Sequence, residues 1–239
     1  MIHPDTILTR YMSKKKFISL IKDGLYLSKV TKFKDELEGI LPYFNKDSES
    51  QLLNREKIRK SLEWVYVTCW YNNSLESNAM WQMYGENDEA IAIQTTAFKL
   101  QSLYLCMNRK RQSYFDNVVY KNPDIESFKK HSPITVLTHF LANEGFPELI
   151  YSALFSFYKH IAFESENEIR LAVVDSNAAK DIQNSKNGIC LEIKDPTEFI
   201  DKVIVSPSSN QIFKDEIQKI LNSYKTNLKV CDSQMKLKS

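Results

Sequence analysis

The sequence predicts an α+β fold, a single domain over residues 1–239 with a mixed, mostly antiparallel sheet flanked by helices. Three observations predict it. Short β-branched and aromatic runs, led by Trp64-Val65-Tyr66-Val67-Thr68-Cys69-Trp70, are interspersed with stretches of helical spacing. They follow no regular strand–helix–strand rhythm, which disfavours a doubly wound sheet. The length, 239 residues, is at the upper end for one domain and low for two, and 43% hydrophobic residues suffice for a substantial core.

Each element has a local reason. Ser13 is placed to cap a helix that turns Phe17, Ile18, Leu20 and Ile21 inward and stops at Gly24. Leu25 to Ser28 reads as a short strand. Asn45 to Glu56 is polar and reads as a loop entering a helix, whose spacing runs through Leu52, Leu53, Ile58 and Leu62 over Gln51 to Leu62. Trp64 to Trp70 is the strongest strand signal. Ser77 to Tyr84 predicts a helical turn ending at Gly85, and Glu89 to Thr95 a strand that sets Ile91 and Ile93 against Ala90 and Ala92. Tyr114 to Tyr120 is a third strand. Pro133 to Ala162 predicts two helices broken near Gly145 and Pro147. Glu168 to Val174, Gly188 to Ile193 and Lys202 to Val205 are further strands. Gln211 to Tyr224 is an amphipathic helix through Ile212, Phe213, Ile217, Ile220 and Leu221, and residues 233–239 form a loose tail.

Composition excludes several classes. With 5 glycines and neither Gly-x-Gly-x-x-Gly nor Gly-x-x-x-x-Gly-Lys-Ser/Thr, nucleotide binding by a Rossmann or P-loop has no support. Cys69, Cys106, Cys190 and Cys231 form no Cys-x-x-Cys pair, and the histidines lack His-Glu-x-x-His spacing, so no metal is expected. Cys69 and Cys190 read as reduced core-strand thiols. The start Met1-Ile2-His3-Pro4-Asp5 has no signal pattern, and no apolar run reaches about 18 residues, so a cytoplasmic chain without a membrane span is expected. A net charge of +2 names no partner. The basic runs Lys14-Lys15-Lys16 and Arg109-Lys110-Arg111 suit either phosphate or a solvated face.

Four clusters carry chemistry. Glu164, Glu166 and Glu168 alternate ahead of Arg170, with Lys159 upstream. On an extended backbone the three acids share one face, where their mutual repulsion raises at least one pKa. The bland alternative is a solvated acidic strand entry, with Arg170 as a structural counter-ion. Trp81 and Tyr84, three apart, form an aromatic face able to stack a planar ring or to fill a core. Arg10, in Thr9-Arg10-Tyr11, suits a phosphate or carboxylate, or simply the surface. Asp35 and Glu38, also three apart, would share one face of a helical turn or belong to an ordinary capped loop.

In this order the clusters resemble a bacterial family known as domain of unknown function 2971. The matching residues are Arg10-Tyr11; Phe33 with Asp35 and Glu38; Val67-Thr68-Cys69-Trp70; Met80-Trp81 with Tyr84; Lys159 with Glu166, Glu168 and Arg170; and Val203-Ile204-Val205-Ser206-Pro207. They span roughly residues 8 to 232. The family's opening Tyr is here Thr9, and its Phe-Asn-Asp-Pro-Phe-Glu box reads Phe33-Lys34-Asp35-Glu36-Leu37-Glu38. A weaker similarity of motif order points to ADP-ribosyltransferases. It implies that fold type, NAD as substrate, and a nucleic acid or protein as acceptor, while the resemblance to the first family implies a toxin or phage-defence effector. By that analogy Arg10 and Tyr11 hold the NAD phosphates and ribose, Trp81 and Tyr84 stack on nicotinamide, and Glu168 stabilises the ribose cation with Glu166 as partner. Two other readings stand beside it: a metal-dependent nuclease or phosphohydrolase using Asp35, Glu38, Glu166 and Glu168, and a non-catalytic nucleotide- or protein-binding sensor.

Overall fold

The structure, a computed structural model, describes residues 2–33, 35, 62–85, 89–107, 112–122, 153, 156–175 and 187–236. Its elements are β1 (Ile7–Ser13), α1 (Lys14–Asp23), β2 (Leu25–Lys29), β3 (Val65–Tyr71), α2 (Asn78–Tyr84), β4 (Ala90–Thr96) and α3 (Ala97–Met107). There follow β5 (Gln112–Asn117), β6 (Val119–Lys121), β7 (Tyr158–His160), β8 (Glu168–Val174) and β9 (Gly188–Leu191). The chain ends with α4 (Pro196–Phe199), β10 (Lys202–Val205), α5 (Gln211–Ser223) and β11 (Val230–Cys231). The fold is α+β. Pairings β1–β3, β1–β4, β4–β10, β2–β3 and β5–β8 are antiparallel, whereas β10–β11 and β6–β7 are parallel. The predicted helix over 51–62 as far as Ser61, the loop before it, and the predicted helices from Pro133 to Ile150 lie outside the described residues.

Two compact units divide the chain, each assembled from separate stretches. The first comprises Met1–Tyr26, Cys69–Asn108 and Cys190–Ser239. Here β4 runs between β1 and β10, with Arg10 opposite Ile93 and Ile204 opposite Ala92. Ala90, Ile91, Ala92 and Ile93 are all buried, so the predicted alternation sorts small from large side chains onto two covered faces. α1 has the predicted bounds, with Phe17, Leu20 and Ile21 buried and Ile18 half-buried, although Ser13 closes β1 and makes no side-chain cap bond. Gly24 ends α1 at φ 99°, and a Cβ there would lie 2.2 Å from the Leu191 carbonyl oxygen, so the position admits only glycine.

α5 is capped by Asn210, whose side chain accepts the Phe213 N–H at 2.9 Å. Phe213, Ile217 and Leu221 form its buried stripe at i, i+4 and i+8, worth roughly 1.5–3 kcal/mol per side chain. The helical spacing also predicts Ile212 inward. It is 79% exposed, because one residue before Phe213 is about 100° around the helix. α3 has no counterpart among the predicted elements: Leu100 and Tyr104 are buried, but Phe98 and Leu105 are exposed, so no clean stripe marks it. Cys69 is half-buried and Cys190 exposed, which corrects their reading as core residues. The first residues of the supposed loose tail are tied down instead, with Ser233 buried.

The second unit comprises Leu27–Thr68 and Arg109–Ile189. β8 pairs with β5, setting Asp116 opposite Arg170, and also with β3. Every residue of β8 is buried, charged ones included. The predicted strand Tyr114–Tyr120 is two strands, β5 and β6, separated at Val118, whose N–H donates to the Glu168 carbonyl at 2.8 Å. The helical reading of Pro133 to Ala162 fails at its end, where Tyr158–His160 is extended and pairs with β6.

Candidate active site

In the second unit, β7 delivers Lys159, in register with Tyr120. A 3-10 turn over Ile161–Glu166 follows, opened by His160, whose Nδ1 accepts the Ala162 N–H at 3.1 Å. Asn167 then takes the left-handed conformation at φ 38°, which asparagine tolerates better than most residues. This bend separates the three acids. Glu164 is exposed in the 3-10 turn, while Glu166 and Glu168 turn inward. The expectation that all three share one face of an extended run is therefore corrected, because the chain ahead of Glu168 is coiled.

Glu168 and Arg170, two apart on β8, share a face. Lys159 Nζ donates to Glu166 Oε2 at 2.7 Å and to Glu168 Oε1 at 2.8 Å. Arg170 Nε donates to Glu168 Oε2 at 2.7 Å, and its Nη1 donates to the Ser156 carbonyl. The Glu168 N–H donates to Tyr120 Oη at 2.8 Å. Phe163 lies 4.7 Å from Lys159 Nζ, and Phe33 lies 5.6 Å from the Arg170 guanidinium, each measured to the ring centroid. The Phe33 motif and the late acidic motif thus meet through Arg170. Asp35 is half-buried nearby in sequence; Glu38 lies outside the described residues.

The electrostatics divide the two acids. Burial pushes the Glu166 carboxyl up to about 7, helped by its hydrogen bond to Glu168 and opposed by Lys159. Burial also pushes on Glu168, but Arg170, Glu166 and Lys159 outweigh it and hold that carboxyl well below the usual range. Near neutrality Glu168 is ionised while Glu166 exchanges a proton, a division that suits acid–base work. Burial and the Glu168 charge raise the Tyr120 phenol, so it stays a neutral hydroxyl.

The first unit holds the other candidates. On β1, Tyr11 meets Trp81 edge to face, with ring centroids 4.8 Å apart at 85°, and Tyr71 at 6.2 Å. Tyr11 Oη accepts the Ser77 N–H at 2.9 Å, and burial pushes its phenol up to about 12. Ser77 caps α2, accepting the Met80 N–H. Trp81 Nε1 donates to Glu76 Oε2 at 3.0 Å. Trp81 is buried and Tyr84 exposed, so the predicted common aromatic face is divided. Arg10 alternates to the other face of β1, where its guanidinium lies 5.7 Å from the Trp70 ring and donates to the Tyr26 carbonyl at 3.4 Å. Burial lowers its pKa, yet an arginine remains charged.

The structure thus brings together Lys159, Glu166, Glu168 and Arg170 in one unit, and Tyr11 with Trp81 in the other. Sequence reasoning missed Tyr120, Ser156 and Glu76. Tyr120 and Glu76 stand outside any charged or aromatic run, and Ser156, although it sits within Phe155-Ser156-Phe157-Tyr158, acts through its backbone carbonyl, which no side-chain pattern marks. Among the described residues no group of three or more His, Cys, Asp or Glu could hold a metal, and no helix is long and apolar enough to cross a membrane.

Residues 80–171 match the model of the family described as protein of unknown function (DUF2971), so the resemblance holds over that stretch. The matched stretch contains Trp81, Tyr84, Lys159, Glu166, Glu168 and Arg170, but neither Arg10 nor Asp35. No curated protein matches the chain. Two solved structures of DarT from Thermus sp. 2.9, one in complex with ADP-ribosylated ssDNA and one with NAD+, are similar at 10% identity, with 98% of each chain covered and a TM-score of 0.42.

Proposed function

We propose that the chain is an NAD-dependent ADP-ribosyltransferase-like enzyme, with Glu166 and Glu168 as its acid–base pair. One observation supports the chemistry above all: two adjoining buried glutamates with pKa values displaced in opposite directions and a lysine between them. In the proposed step the bond from ribose C1′ to the nicotinamide nitrogen breaks, and nicotinamide leaves with the bonding electrons. Glu168, held ionised, stabilises the ribose cation. The acceptor attacks C1′ and gives its proton to Glu166, whose affinity near neutrality suits a general base. NAD itself, and the nucleotide-holding roles of Arg10, Tyr11, Trp81 and Tyr84, come from the motif order, and the acceptor is a nucleic acid or a protein. A toxin or phage-defence role belongs to the same proposal.

Labelled NAD, incubated with the purified chain alone and with cell lysate, tests this. Glu166→Gln is the informative variant, since it copies the protonated form and preserves the fold. Nicotinamide release or label transfer by the wild type, lost in Glu166→Gln, supports the proposal, and the labelled species names the acceptor. No turnover and no binding of NAD by the wild type would sink it. Growth arrest that persists with Glu166→Gln would separate toxicity from this chemistry.

A binding module is the second reading, favoured by burial: Glu166, Glu168, Lys159 and Arg170 are 4%, 4%, 6% and 0% exposed. The metal-nuclease reading fares worse, because the Lys159 ammonium occupies the space between the two carboxylates where a cation would sit.

A further inference from the structure

We propose that Glu76 is a positioning residue that locks the Tyr11–Trp81 pair to the C-terminal segment, so that residues 232–236 act as a strap setting the aromatic cluster. The observation is one carboxylate accepting three hydrogen bonds from two distant parts of the chain. Glu76 Oε2 accepts Trp81 Nε1–H at 3.0 Å and the Ser233 hydroxyl at 2.5 Å; Oε1 accepts the Gln234 N–H at 2.7 Å. The Ser233 hydroxyl in turn accepts the Met235 N–H at 3.0 Å, which directs its proton to Glu76. Two further ties hold the strap. Lys214 Nζ meets Asp232 Oδ2 at 2.5 Å, and Lys236 Nζ donates to the Ser209 carbonyl at 3.0 Å.

An indole N–H has one direction in which to donate, so the position of the Glu76 carboxylate fixes the rotation of the Trp81 ring. Trp81 packs edge-on against Tyr11, whose hydroxyl receives the N–H of the residue after Glu76. Release of the strap would leave Oε1 without the Gln234 donor and free the carboxylate to turn, and the indole with it. The segment therefore controls the aromatic pair without belonging to it. This deepens the proposed function only in its ligand arm, since the coupling itself rests on the hydrogen bonds.

The test uses the full chain labelled with 5-fluorotryptophan. It holds 3 tryptophans, Trp64, Trp70 and Trp81, and Trp81→Phe assigns the third fluorine resonance. Ser233→Ala and Glu76→Ala should each shift or broaden the Trp81 resonance and leave that of Trp64 in place. Glu76→Gln, which keeps one acceptor oxygen, should restore part of the wild-type position. An unmoved Trp81 resonance in Ser233→Ala and Glu76→Ala overturns the proposal. So does movement of all three resonances together, which would report general loosening. In the ligand arm, Ser233→Ala should raise KM for NAD about tenfold with kcat unchanged, the size expected for one hydrogen bond to a charged group. Equal KM in wild type and variant overturns the control of the aromatic pair. If the wild type binds no NAD, the functional proposal fails while the fluorine spectra still decide the coupling.

Discussion

At the scale of single residues, the protons of the acid pair make the pH dependence of stability predictable. Glu166 binds its proton more tightly folded than unfolded, so its contribution is fully present below about 4.5 and lost as pH rises through about 7. Glutamine does not titrate. The melting temperature of Glu166→Gln relative to wild type should therefore rise between pH 5 and pH 8, with an upper bound of about 3 kcal/mol in stability. A difference that stays flat, measured by circular dichroism at intervals across that range, counts against the raised Glu166. Glu168 works in the opposite sense: its stabilisation is present above about 4.5 and fades as pH falls through the depressed folded-state pKa. Lys159→Ala leaves two buried carboxylates without their shared cation, and should cost about 3–5 kcal/mol in urea unfolding. Adding Glu166→Ala to that variant should recover part of the loss, because the two residues are coupled. The members of this network were legible as residue types at short spacing. Their geometry was not, because the left-handed Asn167 and the 3-10 turn before it break the extended periodicity on which the reading relied. Tyr120 could not be found at all: its role depends on the parallel pairing of β6 with β7, which no local pattern encodes.

At the scale of elements, legibility followed the strength of local signals. α1 was readable from end to end, because its apolar stripe stops at a glycine that the structure requires. Gly24→Ala should cost about 2–3 kcal/mol, since it combines an unfavourable backbone region with a clash against the Leu191 carbonyl; a urea midpoint equal to wild type would show that the turn yields. β8 and β10 carried the bounds read from sequence because dense β-branched residues leave few alternatives. α3 was invisible because exposed Phe98 and Leu105 blur the contrast between its faces. The stretch before Ala162 misled for the converse reason. A run rich in Phe, Tyr and Ile suits helix and strand alike, and pairing with β6 decides that Tyr158–His160 is extended.

At the scale of the whole molecule, composition and the irregular mixture of elements were enough to read an α+β class, but not how stretches of chain group together. The division into two compact units, each drawn from distant stretches, depends on long-range pairing such as β1 with β4 and β5 with β8. The sequence separation of these pairs hides them from a local reading. The burial of Lys159 has a consequence for chemical footprinting. An amine must be deprotonated and reachable to react with an acylating reagent, and this ammonium is 6% exposed and bound to two carboxylates. Lys15 and Lys16, exposed on α1, are open to the reagent and should acylate well before Lys159. Lys159 should react only as fast as the second unit opens, and mass spectrometry of the two sites over time would turn one buried lysine into a clock for that opening.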